Sequence, residues 1–147
     1  MINVIEKTAI ARPASAALAR RLAAMLYESL LLAAVLFIAA FIFVSVARTP
    51  PHGAARTIFQ LYLLFVASGY LLWFWLHGGQ TLAMKTWRIR LISADGARLG
   101  LTRALLRLLL ALAGLALFGI SIVWALADRD RQFLHDRLAG TRLIDLR

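Results

Sequence analysis

The sequence contains no cysteine, and this absence removes several kinds of site at once. Disulfide bonds, thiolate zinc sites, iron–sulfur clusters and cysteine nucleophiles all require a cysteine sulfur. Acidic side chains are also scarce, with 7 Asp and Glu against 17 Lys and Arg, which gives a formal net charge of +10. The G-x-x-x-x-G-K-[ST] pattern of a phosphate-binding loop is missing as well. We therefore expect neither a cofactor nor a metal ion.

Polar residues are too few for a soluble protein of this length. The 147 residues are 62% hydrophobic, and a soluble domain this small has too little interior to hide so much apolar surface. Most of the excess lies in three nearly uncharged runs, residues 22–47, 58–76 and 108–127. Each meets the requirement of about 20 apolar residues for crossing a bilayer core of about 30 Å. The sequence predicts an all-α membrane protein with about three hydrophobic helices in residues 22–147, preceded by a basic arm, residues 1–21.

Basic side chains flank the apolar runs and predict the orientation. Only Arg48 and Arg56 lie between the first and second runs, whereas the arm and the segment between the second and third runs hold most of the others. By the positive-inside rule, the N-terminus and that middle segment face the cytoplasm of a bacterial inner membrane, and the chain is multi-pass. Because these residues do not line one soluble face, we expect them to attract the lipid bilayer and anionic headgroups, not nucleic acid.

The third run allows two interpretations. Residues 86–92 and 141–146 each have the pattern of a β-strand, and Ala94-Asp95-Gly96 is typical of a turn. Isolated strands need partners, and these two can pair only if both lie on the cytoplasmic side. A small β-element around residues 86–99 and 141–146 would then make the third run a re-entrant hairpin, bent near Gly114 or Gly119. The length of the run suits a single span better.

Glu28 is the only charged residue of the first run. Its carboxylate must be neutralised, paired or hydrated, because a charge at that depth costs about 2.5–3.5 kcal/mol on insertion scales. Arg21 lies two helical turns earlier on nearly the same face, but about 10.5 Å away along the axis. A partner from elsewhere is therefore expected, and Arg107 at the start of the third run is the candidate. Glu28 either ties helices together or belongs to an ion or proton pathway.

Two polar segments outside the runs carry weaker signals. Gly78-Gly79-Gln80-Thr81 follows the second run, where glycines allow a sharp turn and Gln80 and Thr81 can cap the next element. His135-Asp136 lies in the polar tail, and such a pair can orient an imidazole for base catalysis. No serine, cysteine or second histidine is spaced to complete a catalytic site, so we expect a structural turn and not an enzyme.

Several short motifs together resemble the RDD family of small bacterial membrane proteins. They are Arg21-Leu22-Ala23-Ala24, Tyr27-Glu28, Gly79-Gln80-Thr81-Leu82, Asp95-Gly96 and His135-Asp136-Arg137-Leu138-Ala139-Gly140-Thr141. The family is named after one arginine and two aspartates, which the resemblance places at Arg21, Glu28 and Asp136. A glutamate thus stands where the family has its first aspartate. The resemblance implies a membrane protein of uncharacterised activity, for which transport of an unknown ligand is suspected.

These observations lead to two functional hypotheses. The first is a transport-related membrane component that acts on a cation or a proton through Glu28, with Arg21 and Asp136 forming or breaking an ion pair at the cytoplasmic mouth. The second is a non-transporting adaptor or assembly factor, in which the same charges only pack helices and dock partners. Three runs make a small pathway, so a homo-oligomer or a membrane protein partner is compatible with either.

Overall fold

A computed structural model of the chain describes residues 16–48, 50–117 and 119–146. Most of the predicted arm, residues 1–15, lies outside this range. The described chain is mainly helical with one two-stranded sheet, as predicted. In chain order the elements are α1 (Leu18–Ala47), α2 (Ala54–Leu76), α3 (Leu82–Thr86), β1 (Ile89–Ser93), α4 (Leu101–Ala116), α5 (Ile120–Ala127), α6 (Leu134–Leu138) and β2 (Thr141–Asp145).

Helices α1 and α2 contain the first two apolar runs and form a helical hairpin. Their 30 and 23 residues correspond to about 45 Å and 35 Å of helix, which is enough to cross a bilayer core of about 30 Å. Near the loop, the ring of Phe43 packs on those of Phe59 and Tyr62 at centroid distances of 5.1 and 5.5 Å. Both helices expose large apolar side chains, as lipid-facing surfaces do. They confirm the two long hydrophobic helices.

The third run forms two helices instead of one straight span. The axes of α4 and α5 differ by 97°, and Gly119 adopts a left-handed conformation (φ 74°) at the start of α5, which glycine tolerates best. A Cβ on Gly114 would lie 3.0 Å from the Cβ of Ser121, so a larger residue would push the two arms apart. Both glycines therefore contribute to the bend, as the sequence predicted.

Strands β1 and β2 pair antiparallel, with Leu91 opposite Leu143. This confirms the predicted β-element, although β1 starts at Ile89 because residues 82–86 form the short helix α3. The predicted turn follows β1: Gly96 has φ 85° and donates its backbone N–H to Ser93. Since the strands are hydrogen-bonded, both ends of the bent third run lie on one side of the molecule. This arrangement favours the re-entrant form over a single crossing.

The segment after α2 covers the free edge of β1. The carbonyl of Gly79 accepts the N–H of Leu91 at 2.8 Å, and the Gln80 side-chain amide donates to the carbonyl of Ile89 at 2.8 Å. A Cβ on Gly79 would lie 2.4 Å from the Leu91 carbonyl oxygen, so only glycine fits there. Covering an edge in this way prevents pairing with another chain. The buried core lies where the sheet meets the ends of α1, α2 and α4, and includes Trp75, Ile89, Leu91, Leu108, Phe133 and Leu143.

Candidate functional site

A buried ion pair between Arg107 of α4 and Asp136 of α6 lies at this junction. Nε of Arg107 donates to Oδ1 of Asp136 at 2.6 Å, and the two side chains are only 6% and 1% exposed. The guanidinium also lies over the ring of Trp75, 4.3 Å from the ring centroid, in a cation–π contact. The Thr141 hydroxyl donates to Asp136 as well, at 3.4 Å from Oδ1. This pair joins α2, α4, α6 and the sheet.

The predicted pair between Arg107 and Glu28 is wrong. Arg107 lies on the face of α4 with Ala104, Leu108 and Gly114, all buried toward the sheet and the tail. From there its guanidinium reaches α6 and binds Asp136, 29 residues away. The sequence does not show which face of α4 carries Arg107, so it could not decide between Glu28 and Asp136 as its partner. Trp75, near the end of α2, is buried beneath the Arg107 guanidinium.

Arg21 lies in the same cluster, with only 1% of its surface exposed. Its Nη1 donates to the backbone carbonyl of Arg131 at 2.6 Å, which holds the tail against α1. Asp136 and Asp128 attract this guanidinium and Arg142 repels it. The predicted neighbourhood of Arg21 and Asp136 is therefore present, but the close ion pair of Asp136 is with Arg107. Arg21 does not stretch toward open water as an arginine near a helix end commonly does.

His135 is held by a serine that the sequence analysis missed. Nδ1 of His135 lies 2.6 Å from Oγ of Ser121, and the same oxygen accepts the backbone N–H of His135 at 3.1 Å. Because Oγ accepts there, its own hydrogen is free to point at Nδ1, which places the ring proton on Nε2. Nε2 lies 3.6 Å from Oδ1 of Asp136. The bend at Gly119 brings Ser121 here, and no linear spacing would reveal it.

The environment of His135 favours the neutral imidazole. Burial lowers the pKa of His135 from 6.5 to about 4, with Asp136 opposing and Arg107 reinforcing the change. A group with that pKa is a weak base at neutral pH. A row of polar groups therefore runs from Ser121 through His135 to Asp136. The Asp136 carboxylate is already bound to Arg107. This geometry favours a positioning role over nucleophilic catalysis.

Glu28 faces two cavities and has a different environment from Asp136. The sheet-side cavity, about 170 Å³, also borders Arg21 and Arg107. The helix-side cavity, about 300 Å³, lies among α1, α2, α4 and α5. Glu28 and His135 line both. Within the described residues, neither carboxylate oxygen of Glu28 has a hydrogen-bond partner of good geometry. The Tyr70 hydroxyl lies close enough to Glu28 to act as its hydrogen-bond donor, although the geometry of that contact is poor.

The predicted turn at Gly78-Gly79-Gln80-Thr81 is confirmed as a structural element. Thr81 is fully buried and its hydroxyl accepts the backbone N–H of Met84 at 3.3 Å, capping α3. The side-chain amide of Gln80 is hydrogen-bonded to the Ile89 carbonyl of β1, and not to the ion pair. In residues 16–48, 50–117 and 119–146, no three side chains of His, Cys, Asp or Glu come together as metal ligands would.

Comparison with known proteins supports the resemblance found in the motifs. The sequence profile of the RDD family matches residues 15–140, which include every element except the last strand. No curated protein and no solved structure gives a significant match. The motifs align Arg21, Glu28 and Asp136 with the family's arginine and two aspartates. Arg21 and Glu28 line the sheet-side cavity, and Asp136 attracts the Arg21 guanidinium. By the extent of the profile match, this helical membrane protein belongs to the RDD family.

Proposed function

We propose that the protein is a multi-pass component of the bacterial inner membrane, with its N-terminus and sheet in the cytoplasm. The distribution of basic residues supports this orientation. The pairing of β1 with β2 supports a tail on the same side as the middle segment. The bent third run would then enter the bilayer and return, with its backbone covered by the other helices.

We further propose that the protein takes part in moving a proton or a monovalent cation across this membrane, and that Glu28 carries it. The observation on which this depends is the pair of Glu28 oxygens, which lie between two cavities without a hydrogen-bond partner of good geometry in the described chain. A carboxylate in an apolar helix must be protonated, hydrated or bound to a cation. Proton and cation would compete for the same two oxygens, and that competition is the basis of an exchange.

The surrounding charges support a reversible site. Arg21 and Arg107 line the same sheet-side cavity as Glu28, so two guanidinium groups share this cavity with the carboxyl group. Because Arg107 is held by Asp136, it does not form the close pair that would fix Glu28 permanently. The helix-side cavity, with Ser29, Ser68 and Ser121 among its lining residues, offers hydroxyl oxygens along a path between the helices. A second copy or another membrane protein would complete the pathway across the bilayer.

Transport in reconstituted vesicles tests this proposal. The full chain is placed in liposomes with a trapped pH-sensitive dye, and proton flux is recorded as Na⁺, K⁺ or no cation is added outside. We expect Glu28→Gln to reduce flux to the level of empty vesicles, and Glu28→Asp to retain part of it because the carboxyl group remains. Equal flux in wild type, Glu28→Gln and empty vesicles would contradict the proposal.

A non-transporting adaptor or assembly factor is the second candidate, and the ion pair between Arg107 and Asp136 favours it. That pair joins helices and sheet, as a purely structural charge would. If this function is correct, Glu28→Gln leaves a cellular phenotype unchanged or lowers only the amount of protein. A variant with normal abundance and a lost phenotype would contradict the adaptor.

A further inference from the structure

A pocket of about 310 Å³ lies on the sheet side of α2, separate from the cavities beside Glu28. Its walls include the backbone of Gly78 and Gly79, and the segment from Gly96 to Leu99. Arg90 of β1 and Arg98 of the loop before α4 both line it. This volume is at the lower end of the range for small-molecule sites, and is large enough for a phosphate group and its neighbouring atoms.

Both arginines of this pocket are available to a ligand. Arg90 and Arg98 are exposed, and neither has an ion pair with a carboxylate in the described parts of the chain. The nearest acidic residue in the sequence, Asp95, is bound to Arg103 at 3.2 Å. Two guanidinium groups without a counter-charge at one pocket form an anion site, and their planar donors match the oxygens of a phosphate.

Another pocket of similar size is also lined by two arginines, and its charge provides a contrast. That pocket, about 320 Å³, is lined by Arg129 and Arg137 together with Asp128. There the guanidinium of Arg137 is bound to the Asp128 carboxylate, so much of the positive charge is already neutralised. Of these four cavities in the described part of the chain, the one with Arg90 and Arg98 alone has two arginines and no carboxylate among its lining residues.

The position of the pocket indicates which anion it binds. Its floor includes Trp75 and Leu76, the last residues of the α2 span, and Leu99, just before α4 begins. Apolar helices meet the polar sheet at this level, which is where the headgroups of a bilayer lie. A ligand here would place its phosphate against the arginines and its acyl chains along α2 and α4. We propose that Arg90 and Arg98 bind the phosphate of an anionic glycerophospholipid from the cytoplasmic leaflet.

Lipid counting by native mass spectrometry tests this site on the full chain purified in detergent. Phosphatidylglycerol and phosphatidylcholine are titrated separately against wild type, Arg90→Gln with Arg98→Gln, and a control that removes two exposed charges elsewhere, Lys85→Gln with Arg129→Gln. We expect Arg90→Gln with Arg98→Gln to bind phosphatidylglycerol roughly tenfold more weakly, since it loses two charge-assisted contacts, and the control to match wild type. Both arginines are exposed, and circular dichroism checks that the variants keep their fold.

Two outcomes would overturn the proposal. An equal loss of phosphatidylglycerol binding in Lys85→Gln with Arg129→Gln and in Arg90→Gln with Arg98→Gln would show general attraction to a basic surface. Displacement of the lipid by glycerol 3-phosphate or inorganic phosphate at similar concentration would assign the site to a soluble phosphate. Retention of the lipid against these competitors, together with weak binding of phosphatidylcholine, supports an anionic lipid site. Neither lipid-binding measurement depends on transport, so this test remains valid if the proposal for Glu28 fails.

Discussion

Two carboxylates of the helical region, Asp136 and Glu28, differ in how their charge is compensated. Asp136 is 1% exposed and bound to Arg107 at 2.6 Å, whereas Glu28 has no hydrogen-bond partner of good geometry in the described chain. The first lies at the junction of helices and sheet, where side chains converge from four elements. The second lies within α1, between apolar helix faces that supply few polar atoms. The comparison separates a charge held by a buried ion pair from a charge that, on the function proposed above, binds a proton or a cation.

The largest effect is expected when Asp136 loses its charge. In Asp136→Asn, Arg107 remains buried without its counter-charge, which typically costs about 3–5 kcal/mol. Thermal unfolding in detergent or nanodiscs would show a large fall in the midpoint temperature. Asp95→Asn, which removes the exposed ion pair with Arg103, is the control and should leave stability unchanged. A small loss for Asp136→Asn would mean that the ion pair does not hold the junction.

A pH-dependent loss of stability is the second expectation. Because burial lowers the pKa of His135 from 6.5 to about 4, the unfolded chain binds more protons than the folded chain between these values. The contribution is therefore complete above pH 6.5 and is lost as the pH falls toward 4, by about 3 kcal/mol. Unfolding midpoints across this range should fall more steeply in wild type than in His135→Asn. Parallel curves would contradict the buried neutral imidazole.

A smaller effect is expected from Arg107→Lys, which keeps the charge and changes its shape. Lysine cannot stack on Trp75 or donate through a planar Nε, so we expect a loss of about 1–2 kcal/mol. The same unfolding assay would place this variant between wild type and Asp136→Asn. If Arg107→Lys were as damaging as Asp136→Asn, the geometry of the guanidinium would matter more than its charge.

The smallest effect on stability, and one of opposite sign, is expected from Glu28→Gln. Replacing a carboxylate whose contact with the Tyr70 hydroxyl has poor geometry with a neutral amide reduces a desolvation cost, so the unfolding temperature should stay the same or rise. Glu28 and Asp136 would then differ in the direction of their effects as well as in size. A marked destabilisation by Glu28→Gln would mean that both carboxylates stabilise the fold.

The sequence was sufficient for the features that depend on local pattern. The apolar runs, the strands, the bend at Gly114 and Gly119 and the turn after α2 all follow from composition and residue spacing. The partner of Arg107 did not, because it depends on which face of α4 points at the tail after a 97° bend. Ser121 was missed for the same reason: its Oγ meets His135 only when α5 folds back. Helix α3 was missed because residues 82–86 form a single capped turn without a long apolar period.

Selective labelling offers the most direct test of the open carboxylate at Glu28. The sequence contains only two glutamates, Glu6 and Glu28, so protein labelled with ¹³C at the glutamate carboxyl group gives two resonances, and Glu28→Gln assigns them. The sample is titrated in nanodiscs with acid and, separately, with Na⁺ or K⁺. We predict that the Glu28 resonance moves in at least one of the two titrations. A Glu28 resonance that responds to neither protons nor cations would contradict the account.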